Sequence, residues 1–230
     1  MRPGTILRWN ALKTLLPKYI KTDTFGLDIG GFDGTISCNL KTLVPNLSIV
    51  VIDINKSGLE IAKEQKLETI CVSALDLPFN DNQIDFILCL DLIEHIEEVD
   101  VLLNEMYRVL KKDGILILTT PKQNGVNFPF LSKQNNELMN INWGHLRKGF
   151  SLKEINKLFT DHKFSLERTT GYFNYLSRFA YRVFILSRIS FKSKWFFYKN
   201  ITKLEPYFKY GTNEHIIVGK AIKKCESIFR

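Results

Sequence analysis

Leu27-Asp28-Ile29-Gly30-Gly31-Phe32-Asp33-Gly34 is the stretch whose reading decides the fold. An apolar run ends in an acid, and a glycine-rich turn then enters a segment of helical periodicity at Thr35–Leu43. Glycines let the backbone turn tightly and approach a ligand closely, and the helix that follows presents free N–H groups at its start. Asp28 stands where it either orients the loop or meets a ligand ammonium. The glycines fall at 30, 31 and 34. The GxGxxG fingerprint of dinucleotide binding is therefore absent, which disfavours a nicotinamide oxidoreductase.

The same rhythm continues beyond the loop. Thr24–Ile29, Ser48–Asp53, Thr69–Ser73, Ile84–Leu90 and Gly114–Thr119 are short, apolar and bounded by Gly, Pro, Asp or Asn, which predicts five buried strands. Thr35–Leu43, Ser57–Gln65 (capped by Asn55) and Val99–Leu110 (followed by Gly114) read as the helices between them. Strands and helices alternating in this way predict a parallel sheet covered on both faces. Val50-Val51-Ile52-Asp53 ends its strand about twenty residues after the loop, where an acid accepts both hydroxyls of a ribose. A cap for the helix near Ser57 is the other reading of Asp53.

After Pro121 the texture changes. Residues 122–149 are polar and Asn-rich and read as a long loop with room for a short helix. Ser151–Phe159 is a helix with Ser151 as cap and Glu154 completing a capping box. Lys163–Thr170 and His215–Ala221 read as a sixth and a seventh strand. Between them, residues 172–210 hold fourteen aromatics and eight Lys/Arg against the single acid Glu205, and read as one or two inserted helices.

Composition narrows the class. The 230 residues fit one domain, and no run of 18 uncharged apolar residues is present to span a membrane. Residues 1–20 have an amphipathic helical pattern rather than that of a signal peptide, so cytosolic residence is expected. Cys38, Cys71, Cys89 and Cys225 form no CxxC pair, and no metal site is expected. Cys71 and Cys89 lie in apolar runs and read as small buried hydrophobes. Residues 1–143 carry 14 Lys/Arg and 18 Asp/Glu, a net −4, whereas residues 144–230 carry 18 and 6, a net +12. That asymmetry suggests an anionic partner for the C-terminal third, such as a membrane surface, a phosphorylated substrate or nucleic acid.

Three further segments follow the glycine loop in order. They are Val72-Ser73-Ala74-Leu75-Asp76-Leu77-Pro78-Phe79 with Asp81 to Asp85, then Leu88-Cys89-Leu90-Asp91-Leu92-Ile93-Glu94-His95-Ile96, then Met106-Tyr107-Arg108-Val109-Leu110-Lys111 to Gly114. Together with the loop and Asp53, this order resembles the class I, Rossmann-like S-adenosylmethionine-dependent methyltransferases, in particular the ubiquinone-biosynthesis-type group. The likeness covers about residues 20–121 and, weakly, 143–170.

The resemblance implies a seven-stranded, mostly parallel, doubly wound sheet whose last strand is antiparallel, with the basic aromatic segment 172–210 inserted before it. It implies S-adenosylmethionine as cofactor. Gly30, Gly31 and Gly34 would pack against its methionine part and Asp28 would lie under its amino group. Asp53 would bind the ribose, Ile54 the adenine, Ser73 and Ala74 would flank the ring, and Leu90 and Asp91 would lie near the sulfonium. Two positions depart from the family pattern. Phe32 replaces a third closely spaced glycine, and Ser73 replaces an acid that contacts the adenine amino group, with loss of charge assistance.

Methyl transfer from a sulfonium is an in-line displacement whose main demand is alignment, and a hydroxyl acceptor also needs a base. His95 and His145 are the candidates, with Glu94 behind them and Trp143 and Tyr172 as further lining of an acceptor pocket; packing or capping roles stay open for all of these. No Asn-Pro-Pro-Tyr follows the fourth strand and no Pro-Cys pair occurs, which disfavours adenine-N6, glutamine and cytosine-C5 acceptors. Oxygen or carbon methylation of a small molecule, lipid or glycan leads. An RNA methyltransferase and a non-catalytic S-adenosylmethionine-binding protein are the alternatives. Segment 172–210 reads first as a lid or substrate-recognition element, then as a peripheral contact with the inner membrane surface, then as an RNA-binding element.

Overall fold

Seven segments form strands in the computed structural model, which describes residues 2–186, 188 and 190–223. They are β1 (Phe25–Ile29), β2 (Ser48–Asp53), β3 (Glu68–Cys71), β4 (Ile84–Leu90), β5 (Leu110–Pro121), β6 (Phe164–Tyr172) and β7 (Glu214–Ala221). They make one sheet in the order β3-β2-β1-β4-β5-β7-β6. β1 to β5 pair in parallel, and β7 runs antiparallel to both β5 and β6. The expected architecture is thus the observed one. β1 pairs with β2 on one side and β4 on the other, which makes the β1/β4 crevice the switch point where ligands bind in such sheets.

Both faces of the sheet are covered at its centre, which is why β1, β2 and β4 read as largely apolar runs. Val51, Phe86, Leu88 and Ile117 are buried on one face, packed with α1 (Pro3–Leu12), α2 (Leu16–Tyr19), α3 (Thr35–Leu43) and α4 (Lys56–Glu64). Ile52, Ile87, Cys89 and Leu116 are buried on the other, against α5 (Val99–Val109) and, further along the chain, α7 (Leu152–Asp161). Asn55 caps α4 by accepting a hydrogen bond from Gly58 N at 2.9 Å, and the Ser151/Glu154 capping box closes the start of α7.

The structure differs from the expected elements at several places. Residues 3–19 form two helices rather than one, because Pro17 opens a new first turn. Gly114 lies inside β5, which begins directly after α5, and its register against β4 shifts between Ile84 and Phe86. The short helix for which the polar stretch after Pro121 had room is the ten-residue α6 (Lys133–Asn142). That helix is docked by amides: Asn136 accepts from Phe128 N at 2.7 Å, and Asn140 accepts from Val126 N at 3.0 Å. Cys71, finally, is exposed at the sheet edge, whereas Cys89 is buried as expected; Cys225 lies outside the described residues.

Between β6 and β7 stand α8 (Tyr175–Leu186) and α9 (Phe191–Thr202). Glu205, fully buried, fastens them by accepting from Asn174 N at 3.1 Å, from Asn174 Nδ2 at 3.0 Å and from Ser177 Oγ. α9 also holds α1: Asn10 Nδ2 donates to Thr202 Oγ1 at 3.2 Å and the Tyr198 hydroxyl donates to Pro3 O at 2.9 Å. Among the described residues no helix is long and apolar enough to cross a membrane.

At Gly26, in the middle of β1, an added Cβ would lie 2.1 Å from Phe86 Cζ. Gly26→Ala is expected to lower the unfolding free energy by ~1–3 kcal/mol through overpacking. Urea denaturation of Gly26→Ala, Phe86→Leu and the double variant checks this, the double losing less than the two singles added.

Candidate active site

The turn after β1 is built for close approach. Gly30 and Gly34 adopt φ of +74° and +65°, a region that disfavours side chains, and Gly30 N donates to Ile52 O at 2.7 Å. At Gly31 an added Cβ would lie 2.7 Å from Asp28 Cγ, so only glycine lets the loop pack this closely against that carboxyl. Asp28 is 2% exposed and accepts a hydrogen bond from Ser37 Oγ at 2.5 Å. Burial pushes its carboxyl up to about 6, against the lowering effects of Ser37 and Arg8. Asp53 ties the loop to β2: it accepts from Phe32 N at 2.9 Å and from Asn55 N at 2.8 Å. Phe32, at φ +47°, turns its ring toward Gly58 of α4 and beneath the Arg2 guanidinium, 4.2 Å from the ring centroid.

The end of β4 is fastened from four directions. Asp91, at φ +50°, donates its N–H to Thr119 O at 3.0 Å. Its carboxylate pairs with Arg8 of α1, accepts from Thr119 Oγ1 of β5, and accepts from the Tyr172 hydroxyl of β6 at 3.0 Å. Arg8 thus brings α1 over the strand ends as a roof.

Beyond Asp91 a short 3-10 turn, Ile93–His95, carries the next polar groups. Glu94 is fully buried; its Oε2 accepts from Thr120 Oγ1 at 3.2 Å, and its Oε1 has no hydrogen-bond partner. Burial, reinforced by Asp91, pushes this carboxyl up to about 8. The His95 and His145 rings meet edge-on with centroids 5.0 Å apart. His145 is pushed down to about 4, first by burial and then by His95, and is neutral over the physiological range. Such a value makes it a poor general base, since efficient bases lie near the working pH. Glu214 on β7 is buried as well, its carboxyl pushed well up by burial.

These groups line one cavity of about 620 Å3 that joins two halves, a size within the range of small-molecule sites. Gly30, Asp53, Leu90 and Asp91 form one half; Glu94, His95, Trp143, His145 and Tyr172 form the other. Asp28 and Gly31 line a smaller recess beside it, with Gly30 and Leu90. Gly34, Ile54, Ser73 and Ala74 lie on the wall of neither. Gly34 is instead packed against Leu67 and Ala62, Ile54 is 75% exposed, and the exposed Ser73 accepts from Leu75 N at 3.2 Å. Sequence reasoning missed Arg8 and Glu214 as parts of this site. Arg8 carries no local signal, because its partner lies 83 residues away in sequence.

The sheet order, the glycine turn after β1 and the acid ending β2 define the fold of the class I, S-adenosylmethionine-dependent methyltransferases. Residues 27–118 match the family described as Methyltransferase domain. It is 31% identical over 99 residues to a ubiquinone biosynthesis O-methyltransferase of Pelagibacter ubique, covering 41% of this chain and 40% of that protein. It is 32% identical over 100 residues to the ubiquinone/menaquinone biosynthesis C-methyltransferase UbiE of Rickettsia prowazekii, covering 38% and 40%. The chain therefore spans under half the length of these curated relatives. A solved structure of a putative sarcosine dimethylglycine methyltransferase from Galdieria sulphuraria superposes with a TM-score of 0.67 at 16% identity, covering 95% of this chain and 86% of that one. At that identity the likeness is one of fold.

Replacing Arg8 by Met leaves the Asp91 carboxylate without its cation in a partly buried setting. A loss of ~1–3 kcal/mol is expected, less than for a fully buried pair. Chemical denaturation of Arg8→Met, Asp91→Asn and the double variant is expected to show coupling of ~1–2 kcal/mol between the two positions.

Proposed function

We propose that this protein transfers a methyl group from S-adenosylmethionine to an oxygen or carbon nucleophile of a small molecule, a class that includes lipid and sugar-bearing compounds. The observation that carries this reading is the continuity of the cavity from Gly30 and Asp53 to His95 and His145. A donor and an acceptor seated in its two halves meet at Leu90 and Asp91, the end of β4. S-adenosylmethionine supplies an activated methyl group, so what the chain contributes is alignment and exclusion of water. Asp28 lines the recess beside the cavity, where its carboxylate gives an ammonium a charge partner. Asp53, whose oxygens already accept two backbone N–H groups, retains lone pairs for a ribose diol. α1 closes the cavity from above through Arg8.

Calorimetric titration with S-adenosylmethionine tests this. Wild type is expected to bind, and Asp53→Ala to bind at least tenfold more weakly; absence of binding by the folded wild type removes the basis for the reading. The pH dependence has a definite sign. Below about 6 the Asp28 carboxyl is protonated and offers no charge to an ammonium; above it the carboxylate does. Affinity is expected to rise with pH through that value, and Asp28→Asn to bind weakly without the step.

One observation favours a lipid-borne acceptor. Phe191, Phe196, Leu204 and Tyr207 are exposed on α9 and the turn after it, beside the exposed Lys192, Lys199 and Lys203. Apolar side chains edged by cations suit an anionic bilayer surface. Co-sedimentation is expected with vesicles containing phosphatidylserine and not with phosphatidylcholine alone, and to fall in Lys192→Glu/Lys199→Glu/Lys203→Glu. Equal recovery with both vesicle types counts against this reading.

A further inference from the structure

Two histidines fifty positions apart in sequence are brought together here by a built arrangement. The segment after α6 is laced along the turn after β4: Leu146 N donates to Glu94 O at 3.0 Å, and Arg147 Nη2 donates to Ile96 O at 2.8 Å. Gly144, at φ +79°, turns its carbonyl to within 3.0 Å of His95 Nδ1. A carbonyl only accepts, so His95 carries a proton on Nδ1, and it is Nε2 that the neutral ring offers as a lone-pair donor. This is how proteins orient histidines that ligate metals, with the remote N–H held by a carbonyl. Glu94 is held in a similar way: Thr120 Oγ1 fixes Oε2, while the fully buried Oε1 has no partner. The buried Nδ1 of His145 has none either. One ligand atom from each of Glu94, His95 and His145 lies within 4.8 Å of the others. Ligands ~2.1 Å from a shared cation stand at most ~4.2 Å apart, so rotamer-scale adjustment closes the set.

We propose that Glu94, His95 and His145 form a binding site for a divalent transition cation that faces the acceptor half of the cavity. Two imidazoles and one carboxylate suit Zn2+, Mn2+ or Co2+ and leave coordination positions open. Asp91 is not part of the set, since Arg8, Thr119 and Tyr172 already occupy its carboxylate. The open positions point the site toward an oxygen acceptor, because a hydroxyl bound to the cation loses its proton more readily. In the resulting transfer the acceptor O–H bond breaks with its proton passing to solvent. The C–S bond of the donor breaks with its electron pair staying on sulfur, and an O–C bond forms. This choice of oxygen over carbon rests on the methyltransferase reading; the cation site itself does not.

Titration of the chelator-stripped full chain with Zn2+ by calorimetry, and with Co2+ by visible absorption, tests the site without any donor present. Both run in a Cys71→Ser background, because Cys71 is exposed. One cation per chain is expected, with Co2+ ligand-field bands. His95→Ala/His145→Ala is expected to lose at least 100-fold in affinity, and the single His145→Ala, in a half-buried loop position, at least tenfold. Failure of wild type to bind either cation one-to-one, or variants that bind as tightly as wild type, overturns the proposal. S-adenosylmethionine titration of the same proteins keeps the two readings separate. Donor binding without a cation sinks only the metal site, and cation binding without donor binding sinks only the methyltransferase.

Discussion

A guanidinium from the first helix, Arg8, lies against a carboxylate at the end of the fourth strand, Asp91, and most of the functional edge is arranged around that contact. A carboxylate at the switch point of a parallel sheet sits among strand ends and other acids, and it is costly to keep charged without a cation. Arg8 supplies one, and in doing so fixes α1 over the cavity. Thr119 and Tyr172 take the remaining lone pairs of Asp91, so β4, β5, β6 and α1 share a single polar junction. The positive φ at Asp91 belongs to the same arrangement: it ends the strand abruptly and sends the chain into the turn that carries Glu94 and His95.

The strands were legible because a sheet covered on both faces leaves no room for polar alternation. Ser48–Asp53 and Ile84–Leu90 read from sequence with the bounds they have in the structure. Capping chemistry was legible for the same local reason, as Asn55 and Ser151 act within three residues of themselves. What escaped depends on long-range contact. A short helix after Pro121 was legible, but not its bounds or seat: α6 has no clear apolar stripe and is docked by Asn136 and Asn140 to backbone groups of the preceding loop, which no periodicity signals. Cys71 sits in an apolar run, but β3 is an edge strand, and sheet order decides its exposure.

The candidate site divides along the same line. Gly30, Asp53, Leu90 and Asp91 line one cavity because they sit at strand ends, whose positions the sheet dictates. Ile54, Ser73 and Ala74 come from loops past those ends, and they do not line the cavity. His95 and His145 were visible one by one; their juxtaposition was not, since it is produced by Gly144, Leu146 and Arg147 bonding to the backbone and ring of residues 94–96. The acids Asp28, Glu94 and Glu214 are each pushed upward by burial, while His145 is pushed down. So many groups shifted toward neutrality in one cavity mark it as the candidate functional site. The shared sheet does not choose the acceptor; the chemistry lies in the groups grafted on it.

The docking of α1 on α9 also bears on synthesis. Pro3 and Asn10 meet Tyr198 and Thr202 at separations of 195 and 192 residues. During translation, at ~5–20 residues per second, that contact waits until α9 has been made. Leu7, Ala11 and Leu12 also pack with residues of α3 and of the sheet, which precede α9 in the chain. The roof of the site can therefore be seated on the sheet before it is fastened, and its fastening comes from a segment made long after it.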